Sequence, residues 1–146
     1  MLIGEYHHNL DEKNRLIIPS KLRNSLDNTF IITKGLEKCL FVYSMKEWDK
    51  ITKKINLLPF TKKNVRAFER SFIGGASLCE FDKQGRISIA SSLLDYASLS
   101  HECVIIGVNE RLEIWDKVSF DEFMKVNEDN MSEIAEDLFS LGDTNA

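Results

Sequence analysis

The chain has 146 residues, which suits one domain or two small halves sharing one core. Hydrophobic residues make up 43% and charged residues 29%, an ordinary soluble composition, and no apolar run approaches the roughly 20 residues of a transmembrane helix. The net charge of −4 speaks superficially against nucleic acid, yet residues 1–86 hold 16 Lys and Arg against 10 Asp and Glu, while residues 87–146 hold 3 against 13. Such asymmetry either separates a basic working face from an acidic one or reflects solvated surfaces alone.

The N-terminus, MLIGEYHHNLDEK, has no basic region followed by a long apolar core. No signal peptide is therefore expected, and the default compartment is the cytoplasm. A short strand leads to Asp11. The connection Glu12–Lys13–Asn14 reads as a hairpin turn, because Asn14 tolerates positive φ. The next strand, RLII, alternates, with Leu16 and Ile18 on one face. Pro19 suits the first turn of a short helix, PSKLRNSL. Strands FIITKG and CLFVY follow, with Gly35 at the turn between them. Ser44 and Glu47 stand at capping-box spacing. Trp48, Ile51, Ile55 and Leu58 recur at helical intervals until Pro59. Thr61 is placed to cap a second helix with Val65, Phe68 and Phe72 on one face. The bridge Lys46–Arg70 is basic, 8 against 3. Its lysines are either solvated helix faces or a source of long-range attraction for a polyanion.

The second half repeats this plan. Asp82 precedes a connection Lys83–Gln84–Gly85, then the strand RISI, a helix over ASSLLDYASL, and strands CVIIGV and RLEIW with Gly107 at their turn. Asp116 is placed to cap a helix carrying Phe120, Phe123 and Met124. A last helix carries Ile134, Ala135, Leu138 and Phe139, and LGDTNA reads as a frayed end. Shifting the chain by seventy-one positions lays Gly4 on Gly75, Asp11 on Asp82, Arg15 on Arg86, Leu16 on Ile87 and Leu22 on Leu93. The chain is thus a duplicated module, 1–70 and 71–146.

Enzyme signatures are missing: no GxxxxGK, GxGxxG, GxSxG or HExxH occurs. No catalytic residue, cofactor or small-molecule substrate is expected. Cys39, Cys79 and Cys103 form no CxxC pair and read as reduced core thiols. His7 and His8 would point to opposite faces of a strand, so no metal site is expected. The repeated Asp-x-x-x-Arg carries two readings. It is a local ion pair closing a turn, or the Asp orients an Arg at the tip of a β-ribbon, where its planar fork suits phosphate or a guanine edge. Both can hold. The first copy is the stronger candidate for nucleic acid, since Lys13, Lys21 and Arg23 accompany Arg15. The second offers Lys83 and Arg86 only, and should support or touch backbone. The aromatics sit at core-like positions, which disfavours single-stranded or RNA binding.

The stretches GEYHHNLDEKNRLIIPSKLR, RAFERSFIGGA, DKQGRISIA and LEIWDKVSFDEF resemble the MraZ family of bacterial transcriptional regulators, over about residues 1–140. Each half also resembles the SpoVT/AbrB type of DNA-binding module. The resemblance implies an α+β fold, with two AbrB-like swapped-hairpin modules forming a pseudo-dimeric β-barrel with flanking helices. It implies binding to tandem short repeats of double-stranded DNA at the promoter of the division and cell-wall gene cluster, including the chain's own gene. It further implies nucleoid association and a ring-shaped homo-oligomer of about eight or more subunits. The family's motifs fall on Asp11 with Arg15 and on Asp82 with Arg86. DNA-contacting residues are then expected among Asp11, Lys13, Asn14, Arg15, Lys21, Arg23, Asp82, Lys83 and Arg86. Asn14 stands where the family often has Gly, and Ala90 where it often has Pro. Two rival readings are a ring-forming scaffold without a DNA role and an antitoxin-like member of the fold class.

Overall fold

A computed structural model describes residues 1–144. The chain runs β1 (Leu2–Asn9), β2 (Arg15–Ile17), α1 (Ser20–Leu26), β3 (Thr29–Lys34), β4 (Leu40–Ser44), α2 (Met45–Asn56) and α3 (Lys63–Phe72). The second half follows as β5 (Ser77–Glu80), β6 (Arg86–Ser88), α4 (Ser91–Ala97), β7 (Glu102–Asn109), β8 (Leu112–Asp116), α5 (Lys117–Glu128) and α6 (Met131–Thr144). Each element of the first half has its counterpart in the second.

Six strands make one antiparallel sheet in the order β1-β7-β8-β4-β3-β5. The order is symmetric about the β8–β4 pair. At its flanks the halves are exchanged: β1 comes from the first half but pairs with β7 of the second, and β5 does the converse with β3. β2 and β6 leave the sheet and pair with each other. The fold is α+β, as expected. The strands do not close, however. β1 and β5 are the two free edges, and among the described residues no strand bridges them, because the only remaining strands are spent on the ribbon.

Both faces of the central strands are buried, and alternation divides them between two cores. On β4, Leu40 and Val42 join a core with Leu16, Ile18, Leu22, Ile87, Ile89 and Leu93, so the ribbon, α1 and α4 cover this face. Phe41 and Tyr43 point the other way, toward Ile55, Phe72, Trp115 and Phe120 under α2, α3 and α5. There Trp48, Phe72 and Phe68 stack in series, with Phe72 in the middle and centroids 5.4 and 5.2 Å apart. Ser44 caps α2 by accepting from the Glu47 N–H at 3.2 Å. Cys39 and Cys103 are buried free thiols, and burial pushes each up to about 12, so neither is a thiolate near neutral pH.

Several local expectations are corrected. Lys62, not Thr61, is the N-cap of α3. Asp116 is the N-cap residue of α5, but its carboxylate is drawn away to accept from the N–H and hydroxyl of Ser100. The frayed end expected at LGDTNA is helical through Thr144, and its last two residues lie outside the described residues. Gly107 is not in a turn but inside β7, opposite Gly4; the chain reverses at Asn109, with φ 69°. Gly107 is needed for close approach. A Cβ there would lie 2.5 Å from the Ile3 nitrogen and 2.6 Å from the Leu2 carbonyl carbon. Backbone cannot yield as a side-chain tip can, so β1 would have to separate from β7. Gly107→Ala is expected to cost about 1–3 kcal/mol in denaturant unfolding, whereas a turn glycine without such a neighbour would cost under about 1 kcal/mol.

Candidate nucleic-acid interface

The two Asp-x-x-x-Arg motifs are matching turns. Asp11 Oδ1 accepts from the backbone N–H groups of Lys13 and Arg15, both at 2.9 Å, and Oδ2 accepts from Arg15 Nε at 2.7 Å. Asp82 does the same with Gln84, Arg86 and Arg86 Nε, at 2.9, 2.8 and 2.7 Å. Each turn needs one residue of positive φ, supplied by Asn14 at 57° and Gly85 at 75°. The sequence suggested that each turn joins a hairpin. It does not: β2 pairs only with β6, in the register Arg15↔Ser88, Leu16↔Ile87 and Ile17↔Arg86. The turn is a corner that lifts the chain out of the sheet. A three-residue strand has too few hydrogen bonds to persist alone, so each copy finds its partner in the other. The Ile18 N–H donates to Gly85 O and the Ile89 N–H to Asn14 O, both at 3.1 Å, so each strand also closes on the opposite turn.

Alternation fixes the outer face of the ribbon. Leu16 and Ile87 point into the core, which leaves Arg15, Ile17, Arg86 and Ser88 outward. Asn14 and Gly85 lie at opposite ends of opposite strands, which sets the turn tips on the order of 14 Å apart. Lys13, Asn14 and Lys83 are exposed at these tips. Lys21 is exposed on the first turn of α1. Arg23 is committed inward: it lies across Gly85, where a Cβ would collide with its guanidinium, and Nη1 donates to Ile18 O at 2.9 Å. Beside it a cleft of about 420 Å³ is lined by Arg23, Asn24, Asp27, Phe81, Asp82 and Lys83 among others. Six cations (Lys13, Arg15, Lys21, Arg23, Lys83 and Arg86) thus lie on the ribbon, its turns and α1, among the carboxylates Asp11, Glu12, Asp27 and Asp82.

The two arginines are not equivalent. Their side chains are 27% and 22% exposed. Arg86 Nη2 donates to Gln84 Oε1 at 2.7 Å, and Nη1 lies 3.7 Å from Asp11 Oδ2, which ties the two motifs together. The terminal nitrogens of Arg15 make no hydrogen bond to any described residue. The sequence reading did not single out Gln84, Ile17 or Ser88. Gln84 lay inside the repeated spacer, and Ile17 and Ser88 lay in the outward phase of the alternation, so the signal was present. No group of His, Cys, Asp and Glu among the described residues could hold a metal.

Backbone N–H donation, first of all from Arg15, holds the Asp11 carboxyl below its ordinary value of 3.8, and donation from Arg86 does the same for Asp82. A carboxyl depressed in the fold stabilises above its unfolded value, near 3.9, and loses that contribution as pH falls through the folded value. Asp11→Asn is therefore expected to lower the urea midpoint at pH 7. The gap to wild type should narrow steadily below about pH 4; a gap that did not change with pH would show that the charge plays no part in closing the turn.

A family model described as "MraZ protein, putative antitoxin-like" matches this sequence twice in succession, over residues 1–71 and 72–141. The two matches divide the chain where the strand order repeats and each holds one Asp-x-x-x-Arg corner, so the chain belongs to the MraZ family.

Proposed function

We propose that this chain is a sequence-specific, double-stranded DNA-binding transcriptional regulator. It acts at the promoter of the division and cell-wall gene cluster, including its own, on tandem short repeats, as part of a nucleoid-associated ring of identical subunits. The halves interlocked through the ribbon and the exchanged edge strands support the pseudo-dimeric AbrB-type reading. The observation that carries the proposal is the outer face of the ribbon. Its two tips carry Lys13 with Asn14 and Lys83, and its Arg15 is held by Nε while the rest of its fork is unspent. A fixed fork with free terminal nitrogens is suited to a bidentate contact with guanine O6 and N7 or with a phosphate. Arg86, whose Nη2 is spent on Gln84 and whose Nη1 faces Asp11 at ion-pair distance, is better placed to hold the ribbon. The first turn then reads bases, and the second with Lys21 and Arg23 supports it or touches backbone. A single subunit makes few contacts, so a ring presenting several ribbons to repeats spaced near one helical turn raises the effective concentration of each next contact.

The family description favours a second reading, an antitoxin-like regulator that also holds a protein partner. No helix among the described residues is long and apolar enough to cross a membrane.

The test is fluorescence anisotropy on a duplex from the gene's own upstream region beside a scrambled duplex, each titrated with salt. Arg15→Ala is expected to cost about 1–3 kcal/mol on the native duplex and to relax the preference between the two. Arg15→Lys keeps the charge but not the fork, and should recover the salt slope without the preference. Lys13→Ala should weaken both duplexes alike and reduce the slope by about one. Arg86→Ala should cost less than Arg15→Ala. Equal, feeble binding to both duplexes by folded wild type would refute the regulator and favour a scaffold.

A further inference from the structure

The duplication is faithful in the sheet but not in the helices. α3 must return the chain to β5, and it lies against the sheet with Phe72 buried. Its counterpart α6 is the last element among the described residues. On α6, Met131, Ile134, Ala135, Leu138 and Leu141 recur at three- and four-residue steps, the stripe of a helix that packs on something. Ile134 and Ala135 are half-buried, but the stripe continues beyond them uncovered: Leu138 is 62% exposed, Phe139 77% and Leu141 60%. Acidic residues flank it (Glu133, Glu136 and Asp137), and residues 131–144 contain no Lys or Arg.

The matching surface lies in the other half. Between α2 and α3 the chain makes an elbow with Leu57 86% and Phe60 72% exposed. The elbow is held in shape: Arg66 Nη1 donates to Phe60 O at 2.9 Å and Thr61 O at 2.8 Å. Its apolar side chains are therefore displayed by a fixed backbone. Its surroundings are basic, with exposed Lys53, Lys54, Lys62, Lys63 and Arg70. Within one chain neither surface covers the other, since both remain exposed.

We infer that the acidic, apolar α6 of one copy docks on the basic, apolar α2–α3 elbow of a second copy. This deepens the self-association reading above by naming its two surfaces. A second copy is the occupant because one chain carries both complementary parts, each apolar at its centre and of opposite charge around it. Such charges set partner and register. The two parts are unlike, so the contact is head-to-tail and repeats from copy to copy, closing into a ring where the rotation permits.

Light-scattering mass on the full chain tests this. Wild type is expected at a multiple of 16.8 kDa. The acidic reversal (Glu133→Lys, Glu136→Lys, Asp137→Lys) and the basic reversal (Lys62→Glu, Lys63→Glu, Arg70→Glu) should each raise the concentration for half-assembly by roughly 100-fold. An equimolar mixture of the two should reassemble, because every α6 then meets an elbow of opposite charge. Reassembly also excludes misfolding of either variant. Wild type that assembles with a mass indifferent to both reversals overturns the docking and leaves the ring reading standing. Reversals that lower the mass without rescue on mixing overturn it as well. Monomeric wild type overturns both the docking and the ring. Failure of the DNA reading would appear elsewhere, as duplex binding without preference.

Discussion

One carboxylate in each half sets the course of the chain. Asp11 gathers two backbone N–H groups and a guanidinium within five residues, and Asp82 repeats this. Without such an acceptor, these N–H groups would be satisfied by continuing in a hairpin or by water. With it, the corner closes on itself, and the following strand leaves the sheet free to pair elsewhere. What it meets is the same strand of the other copy. Leu16 and Ile87, opposite one another at the ribbon's centre, are both fully buried, so the ribbon is also the lid of one core. Neither half can close that core alone. The doubling of a short polar phrase is therefore a structural requirement before it is a functional one.

The same pairing explains how a motif with little energetic weight can matter. An ion pair open to water adds little to stability, because solvent screens it. Its value is orientation. The Nε contact fixes the plane of each guanidinium, and in Arg15 it does so without consuming the two terminal nitrogens. Arg86 has given one of them to Gln84, and the other faces the Asp11 of the other half at 3.7 Å. A duplicated fold thus presents an asymmetric face. Local charge, not the net −4 of the chain, governs what such a face attracts at contact distances, since charges beyond a Debye length of about 8 Å are screened.

Much of this was legible in the sequence. The repeat, the corners with Asn14 and Gly85, the α1 and α4 helices, the four long central strands and the buried aromatics follow from spacing and alternation. What was not legible required tertiary knowledge. A turn of hairpin type and a turn that redirects a strand use the same residues, so pattern alone could not show that β2 pairs with β6. Gly107 was read as punctuation, yet it is conditioned by β1, a strand about a hundred residues away in the chain. Asp116 has the right type and place for a cap, but the Ser100 hydroxyl and N–H compete for it and win. The identities of the site residues were visible; the inward commitment of Arg23 and the outward places of Gln84, Ile17 and Ser88 depended on which strand lay alongside.

Where the two halves diverge, the divergence follows from chain connectivity. Half-repeats bound into one sheet must keep the strands, corners and short helices that make each core, because a change in either half would disturb both. The helix pairs lie outside that constraint. α3 is still held to the sheet by the chain that must reach β5, and the Thr33 hydroxyl donates to its Phe72 carbonyl at 2.5 Å. The later turns of α6 carry apolar and acidic residues that the described rest of the chain does not cover. A single self-complementary patch pairs two copies about a two-fold axis and stops. Two unlike, complementary surfaces on one chain can instead repeat from copy to copy, and the surfaces proposed above for that contact are those that the sheet leaves unconstrained.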